Sequence, residues 1–168
     1  LLDYVPGQIG ENHMAGVNPV NDEYFLLTLE GEFGNKIGRA KEVFFPDGTF
    51  EDVFKAYRRC EEQNSFVALT CADDVFDKHG RTEPVVLAGS LVAYFLGRIR
   101  KHLNSIAAFV KPAHIYTSGG AADSETFLAI LREQMPYSLS PPQHTRDSGL
   151  RGAAELCYQK TREKGTES

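Results

Sequence analysis

Between Ala113 and Arg132 the chain changes its period, and this change limits what the protein can fold into. A β-prone run, Ile115-Tyr-Thr-Ser118, meets Gly119 and Gly120, after which Phe127, Leu128, Ile130 and Leu131 recur at helical spacing. A strand end, a glycine turn and a helix start are thus expected in direct succession, with Gly119 or Gly120 at positive φ and the helix under way by Glu125. Asp123 or Ser124 supplies its cap, and Pro136 ends it. Without a Cβ, the glycines let a ligand approach the backbone, and the helix start offers unpaired N–H groups and partial positive charge. These are the needs of an anionic or purine nucleotide. The same pattern also describes a tight turn with no ligand.

The rest of the chain reads as one domain. Residues 1–23 are expected to be an irregular arm or a linker, 24–161 a single α/β nucleotide-binding domain, and 162–168 a polar tail. Tyr24-Phe-Leu-Leu-Thr-Leu29 is β-prone, and with a second run from Ala40 to Phe45 it predicts a hairpin across the glycines at 31, 34 and 38. Phe50, Val53, Phe54 and Tyr57 mark a helix to about Glu62, Ser65 to Thr70 a buried strand, and Asp73 to Asp77 an acidic loop. From Pro84 to Asn104 the residues Leu87, Leu91, Val92, Phe95, Ile99 and Leu103 keep to one face, which predicts the strongest helix, with Arg98 and Lys101 turned to solvent. Gly89, Ser90 and Gly97 are small enough for a second backbone to come close. A last helix is expected from about Asp147.

Charge and cysteine usage narrow the function. With 18 Lys and Arg against 23 Asp and Glu, the net charge of −5 leaves no basic excess for a nucleic acid. The longest apolar stretch, Pro84 to Leu96, is too short and too interrupted to span a bilayer, so no membrane partner is expected. Cys60, Cys71 and Cys157 have neither a paired count nor zinc spacing, which suits the cytoplasm. The first residues carry no initiator Met and no signal peptide, in keeping with a piece of a longer chain.

Asp73-Asp-Val-Phe-Asp77 has the Asp-Asp-x-x-Asp spacing that holds Mg²⁺ in prenyl-diphosphate synthases, but its loop setting favours a solvated acidic turn. The five His are dispersed, Ser118 lacks a nucleophile-elbow setting, and no metal ligand set is assigned.

Two segments, Thr117-Ser-Gly-Gly-Ala-Ala-Asp-Ser124 and Asp147-Ser-Gly-Leu-Arg-Gly-Ala-Ala154, carry a resemblance. Together with the order of elements they resemble the C-terminal nucleotide-binding half of the sugar kinase, heat-shock ATPase and actin superfamily, most of all FGGY-type carbohydrate kinases. The resemblance covers roughly Leu87 to Cys157. It implies a mixed sheet flanked by helices in an actin-like ATPase (ribonuclease H-like) domain, with ATP and Mg²⁺ as cofactors and phosphoryl transfer to a small hydroxylated substrate. Gly119, Gly120, Ala121, Ser124, Ser148 and Gly149 would contact the nucleotide. No catalytic base can be matched, and the superfamily's Asp-x-Gly-Thr hairpin is absent, so a missing N-terminal domain or second chain is implied. Where a second phosphate hairpin should fall, Gly31 is followed by Glu32. An activator-type or actin-like ATPase, or a non-catalytic interaction domain of the same fold, are the alternatives.

Overall fold

The computed structural model describes residues 13–17, 24–28, 31–107, 117, 120–139, 154 and 158. Among them the protein is built from helices. Strand structure is confined to one antiparallel pairing, β1 (His13–Val17) with β2 (Tyr24–Thr28), in which His13 lies opposite Thr28 and Val17 opposite Tyr24. The helices are α1 (Phe33–Phe44), α2 (Phe50–Gln63), the short α3 (Asp74–Asp77), α4 (Pro84–Ala107) and α5 (Glu125–Gln134), with a 3₁₀ turn at Gly120–Asp123. This overturns the expected mixed α/β sheet and the actin-like domain that depended on it.

Two expected strands take other forms, for physical reasons. Ala40 to Phe45 is the second half of α1 apart from its last residue, Phe45, which caps the helix C-terminus. Ile37, Ala40 and Phe44 are buried, and with half-buried Phe33 they form an inward stripe at four, three and four residue steps. Gly34 lies exposed on the other side, so it costs helix propensity without breaking the stripe. The β-strand expected to pair with Tyr24–Thr28 therefore comes from upstream, within the stretch expected to be irregular.

Ser65 to Thr70 is not in a strand either. Its side chains alternate between half-buried and exposed, as in an extended chain, yet no neighbouring strand pairs with it among the described residues. Instead the Val67 N–H donates to Ser90 Oγ at 2.9 Å, and Ser90 Oγ donates to the Val86 carbonyl at 2.7 Å. A serine inside α4 thus meets a backbone group that a sheet would otherwise have satisfied. The acidic stretch at 73–77 holds α3 where a loop was expected.

The helices expected from apolar spacing are present. α2 starts at Thr49, where the Asp52 carboxylate accepts from the Thr49 N–H at 2.7 Å and from its hydroxyl at 2.9 Å. It ends on Asn64, in the left-handed region at φ 49°. On α4, Leu87, Leu91, Val92 and Phe95 are fully buried, while Ile99 and Leu103 are only half-buried where the helix runs beyond the core. Lys101 is exposed as expected, but Arg98 is half-buried, its Nη1 donating to the Tyr94 hydroxyl at 3.2 Å.

α2 and α4 make the central contact, and Gly89 explains how closely they meet. A Cβ at Gly89 would lie 2.5 Å from Cys60 Sγ and 2.8 Å from the Ala56 carbonyl oxygen. Gly97, by contrast, faces open space. Four phenylalanines tie α1 and α5 to this pair. Phe127 of α5 sits 4.7 Å from Phe54 of α2 and 5.4 Å from Phe33 of α1, and Phe33 meets Phe95 of α4 edge-on at 5.3 Å.

Candidate functional site

The helix expected after the glycine pair begins at Glu125, and its N-terminus is the best-organised polar site among the described residues. Of the two candidate caps, Ser124 is the one used. Its Oγ accepts from the Phe127 N–H at 3.0 Å, which meets one of the donors that a helix start leaves open. The same hydroxyl donates to Glu51 Oε2 at 2.5 Å, and the Thr126 hydroxyl donates to Glu51 Oε1. The Thr126 backbone N–H is also directed to this carboxylate. Burial pushes the Glu51 carboxyl up, but the Ser124 and Thr126 hydrogen bonds, helped by the charge of Lys55, outweigh it and hold the group below its usual value.

The α5 N-terminus therefore holds an anion that belongs to the chain itself. Glu51 lies in the first turn of α2, so its carboxylate bridges the starts of two helices. The sequence reading selected Ser124 and missed Glu51. A carboxylate 73 residues away carries no local signal, and Glu51 looks like an ordinary acidic residue of a helix's first turn.

The other expected contacts divide between described and undescribed residues. Gly120 is exposed and opens the 3₁₀ turn, and a Cβ there would have nothing within 4 Å. It is not at positive φ; Gly119, the other glycine expected to take that conformation, lies outside the described residues. Ala121 is half-buried against the core, beside buried Ala122. Just upstream, Thr117 carries a buried Oγ1 with no hydrogen-bond partner among the described residues. Thr117 is in no strand, so the strand end expected at 115–118 is not borne out at its one described residue, and of the last helix, expected from about Asp147, only Ala154 and Tyr158 are described, both helical and exposed. Gly119, Ser148, Gly149 and the tail at 162–168 lie outside the described residues.

The Asp-Asp-x-x-Asp segment is committed to structure. Asp74 accepts from the Thr70 N–H at 2.5 Å, the Thr70 hydroxyl at 2.8 Å and the Cys71 N–H at 3.2 Å. These bonds, led by the Thr70 N–H, hold its carboxyl far below the usual range. Asp73 is bound by Lys36 Nζ at 2.6 Å, with Arg39 at 3.5 Å. The two carboxylates thus fasten the 70–74 turn and join α1 to α3. No cluster of three or more His, Cys, Asp or Glu able to hold a metal occurs among the described residues.

A second polar link, also structural, joins α2 to α5. Arg58 binds Glu133 through two parallel bonds of 2.5 and 2.7 Å. The hydrogen bond to Glu133, the largest influence, raises the guanidinium's already high pKa. No described helix is long and apolar enough to cross a membrane. In comparison with known proteins, the chain has no significant match to a family model, a curated protein or a solved structure.

Proposed function

We propose that the chain binds an adenine nucleotide against the turn from Thr117 to Asp123, and that the nucleotide serves ATP-dependent phosphoryl transfer to a small hydroxylated substrate. The observation that carries this reading is the buried Thr117 Oγ1, without a partner among the described residues and just before the glycine pair. Leaving such a hydroxyl unsatisfied costs about 1–3 kcal/mol, which a polar ligand group would recover only as the closed turn opened to admit it. Exposed Gly120, with open space where a Cβ would be, leaves room for a flat ring to approach. Mg²⁺ would arrive with the nucleotide, and catalytic groups would come from a second domain or chain.

Calorimetric titration with ATP and Mg²⁺ tests this, using the chain alone and joined to any upstream half encoded with it. Thr117→Val keeps the shape and removes the hydroxyl. It should weaken nucleotide binding about tenfold while leaving the fold intact by circular dichroism. Binding unchanged by the substitution would refute the role of Thr117.

A second reading, a non-catalytic interaction domain, is favoured by the Glu51 carboxylate at the α5 N-terminus, where a phosphate would otherwise bind. Absence of heat and of thermal stabilisation with millimolar ATP would leave that reading in place.

A further inference from the structure

We infer that the stretch from Ser65 to Thr70 is an open strand edge, and that it pairs antiparallel with the same stretch of a second copy of this chain. The segment carries no charge and no proline, and Phe66, Val67 and Thr70 favour strands. Its side chains alternate, with Ser65, Val67 and Leu69 half-buried and Phe66, Ala68 and Thr70 exposed, which is the two-residue period of an extended chain. In such a chain the N–H and C=O groups of successive residues also point to alternate sides. On the inner side the Ser65 N–H donates to the Cys60 carbonyl at 3.0 Å and the Val67 N–H to Ser90 Oγ at 2.9 Å. Phe66 and Ala68 fall on the outer side, and their N–H and C=O groups make no main-chain hydrogen bond among the described residues. At Thr70 the edge ends, because its N–H turns back to Asp74 Oδ2. Proteins commonly guard an exposed edge with lysine or proline, and this one contains neither.

A row of outward N–H and C=O groups on alternate residues fits another extended chain. This edge is also complementary to itself. With Val67 on a two-fold axis, Phe66 lies opposite Ala68 of the second copy and Ala68 opposite the partner's Phe66, and each such pair exchanges both of its main-chain hydrogen bonds. The register sets a large side chain against a small one. The Phe66 ring, 37% exposed and 5.4 Å from the Tyr57 ring, then covers a methyl group of the second copy. No charge of the segment itself has to be stripped of water at the seam. So short a ladder makes a weak, reversible dimer.

Sedimentation equilibrium and amide hydrogen exchange on the whole chain test this. The chain should pass from monomer to dimer between about 10 μM and 1 mM. Over that range exchange at Phe66 and Ala68 should slow by about threefold or more, while Ser65 and Val67, already bonded on the inner side, change less. Ala68→Pro removes a pairing N–H and should leave a monomer, its thermal melt at low concentration close to that of the wild type. Ala68→Glu keeps the N–H but brings a carboxylate to the seam, and should weaken the dimer by about tenfold or more. Added salt should tighten the wild-type dimer, because both copies carry a net charge of −5.

A chain still monomeric at about 1 mM, a dimer with unchanged exchange at Phe66 and Ala68, or a dimer that survives both substitutions overturns the inference. So does an association that salt weakens, which would rest on ion pairs, or a monomer that takes an unrelated extended peptide along this edge. If Ala68→Pro does not fold, Ala68→Glu and the wild-type exchange pattern decide.

Discussion

Adding one methyl group to Gly89 should destabilise the protein, although the same change usually strengthens a helix. In α4 a Gly→Ala substitution gains about 1 kcal/mol of helix propensity. Against that, the new Cβ would lie 2.5 Å from Cys60 Sγ and 2.8 and 3.1 Å from the carbonyl oxygen and carbon of Ala56. These distances are roughly 1 Å inside normal contact, and two of the three atoms belong to backbone that cannot rotate away. α2 and α4 must separate, which loosens Val53, Leu87 and Leu91 at the centre of the core. Overpacking of this kind costs about 1–3 kcal/mol and exceeds the propensity gain wherever backbone is the obstacle.

Gly97, in the same helix and with nothing near its Cβ, supplies the control: Gly97→Ala should stabilise by about 0.5–1 kcal/mol. Urea unfolding followed by circular dichroism measures both. Adding Cys60→Ala to Gly89→Ala should recover part of the loss but not all, because the Ala56 carbonyl remains in place. If Gly89→Ala proves as stable as Gly97→Ala, the close contact between α2 and α4 is refuted.

Three further outcomes are expected. Phe95→Ala empties a fully buried site against Phe33 and should cost about 3–5 kcal/mol in urea unfolding, where a loss below about 1 would show that the α4 face is misassigned. Ser124→Ala removes the α5 cap and one anchor of Glu51 and should cost about 1 kcal/mol, with Ser124→Thr recovering most of it; equal melting temperatures for Ala and wild type would contradict the cap. Asp74 has a folded pKa below its ordinary value, so its stabilisation is present above the ordinary value and is lost as pH falls through the folded one. Asp74→Asn should therefore be less stable than wild type at neutral pH, and the gap should close in acid; a gap that persists unchanged to pH about 2 would show that the carboxylate's charge plays no part.

The sequence revealed the helices whose apolar stripes are long and uninterrupted. Val53, Phe54 and Tyr57 on α2, Leu87, Leu91, Val92 and Phe95 on α4, and Phe127, Leu128, Ile130 and Leu131 on α5 are buried as their spacing required, although Phe50, read into the same α2 stripe, is exposed at the helix start; Ser124 was one of two residues expected to cap α5. The errors came from segments where local chemistry and tertiary setting disagree. In α1, glycines at 34 and 38 looked like turn signals because the apolar residues between them are sparse, yet Ile37, Ala40 and Phe44 bury well enough to override the cost. Ser65 to Thr70 has the alternation of a strand, but α4 covers it and Ser90 satisfies one of its amides, a partner that no local pattern could reveal. Half of the polar site was legible for the same reason: Ser124 is a local capping signal, whereas Glu51 reaches it only through the packing of α2 on α5.

The tight seam at Gly89 also gives the molecule an internal clock. Cys60 is fully enclosed there, its thiol pKa pushed up by burial, while Cys71 sits at the surface. Thiol reagents attack the thiolate, so Cys71 should be modified at once, and Cys60 only as often as α2 parts from α4. With Cys157 replaced by alanine, the slow phase of alkylation would count openings of the helical core one molecule at a time, and its rate against pH and denaturant would report how long the seam stays shut.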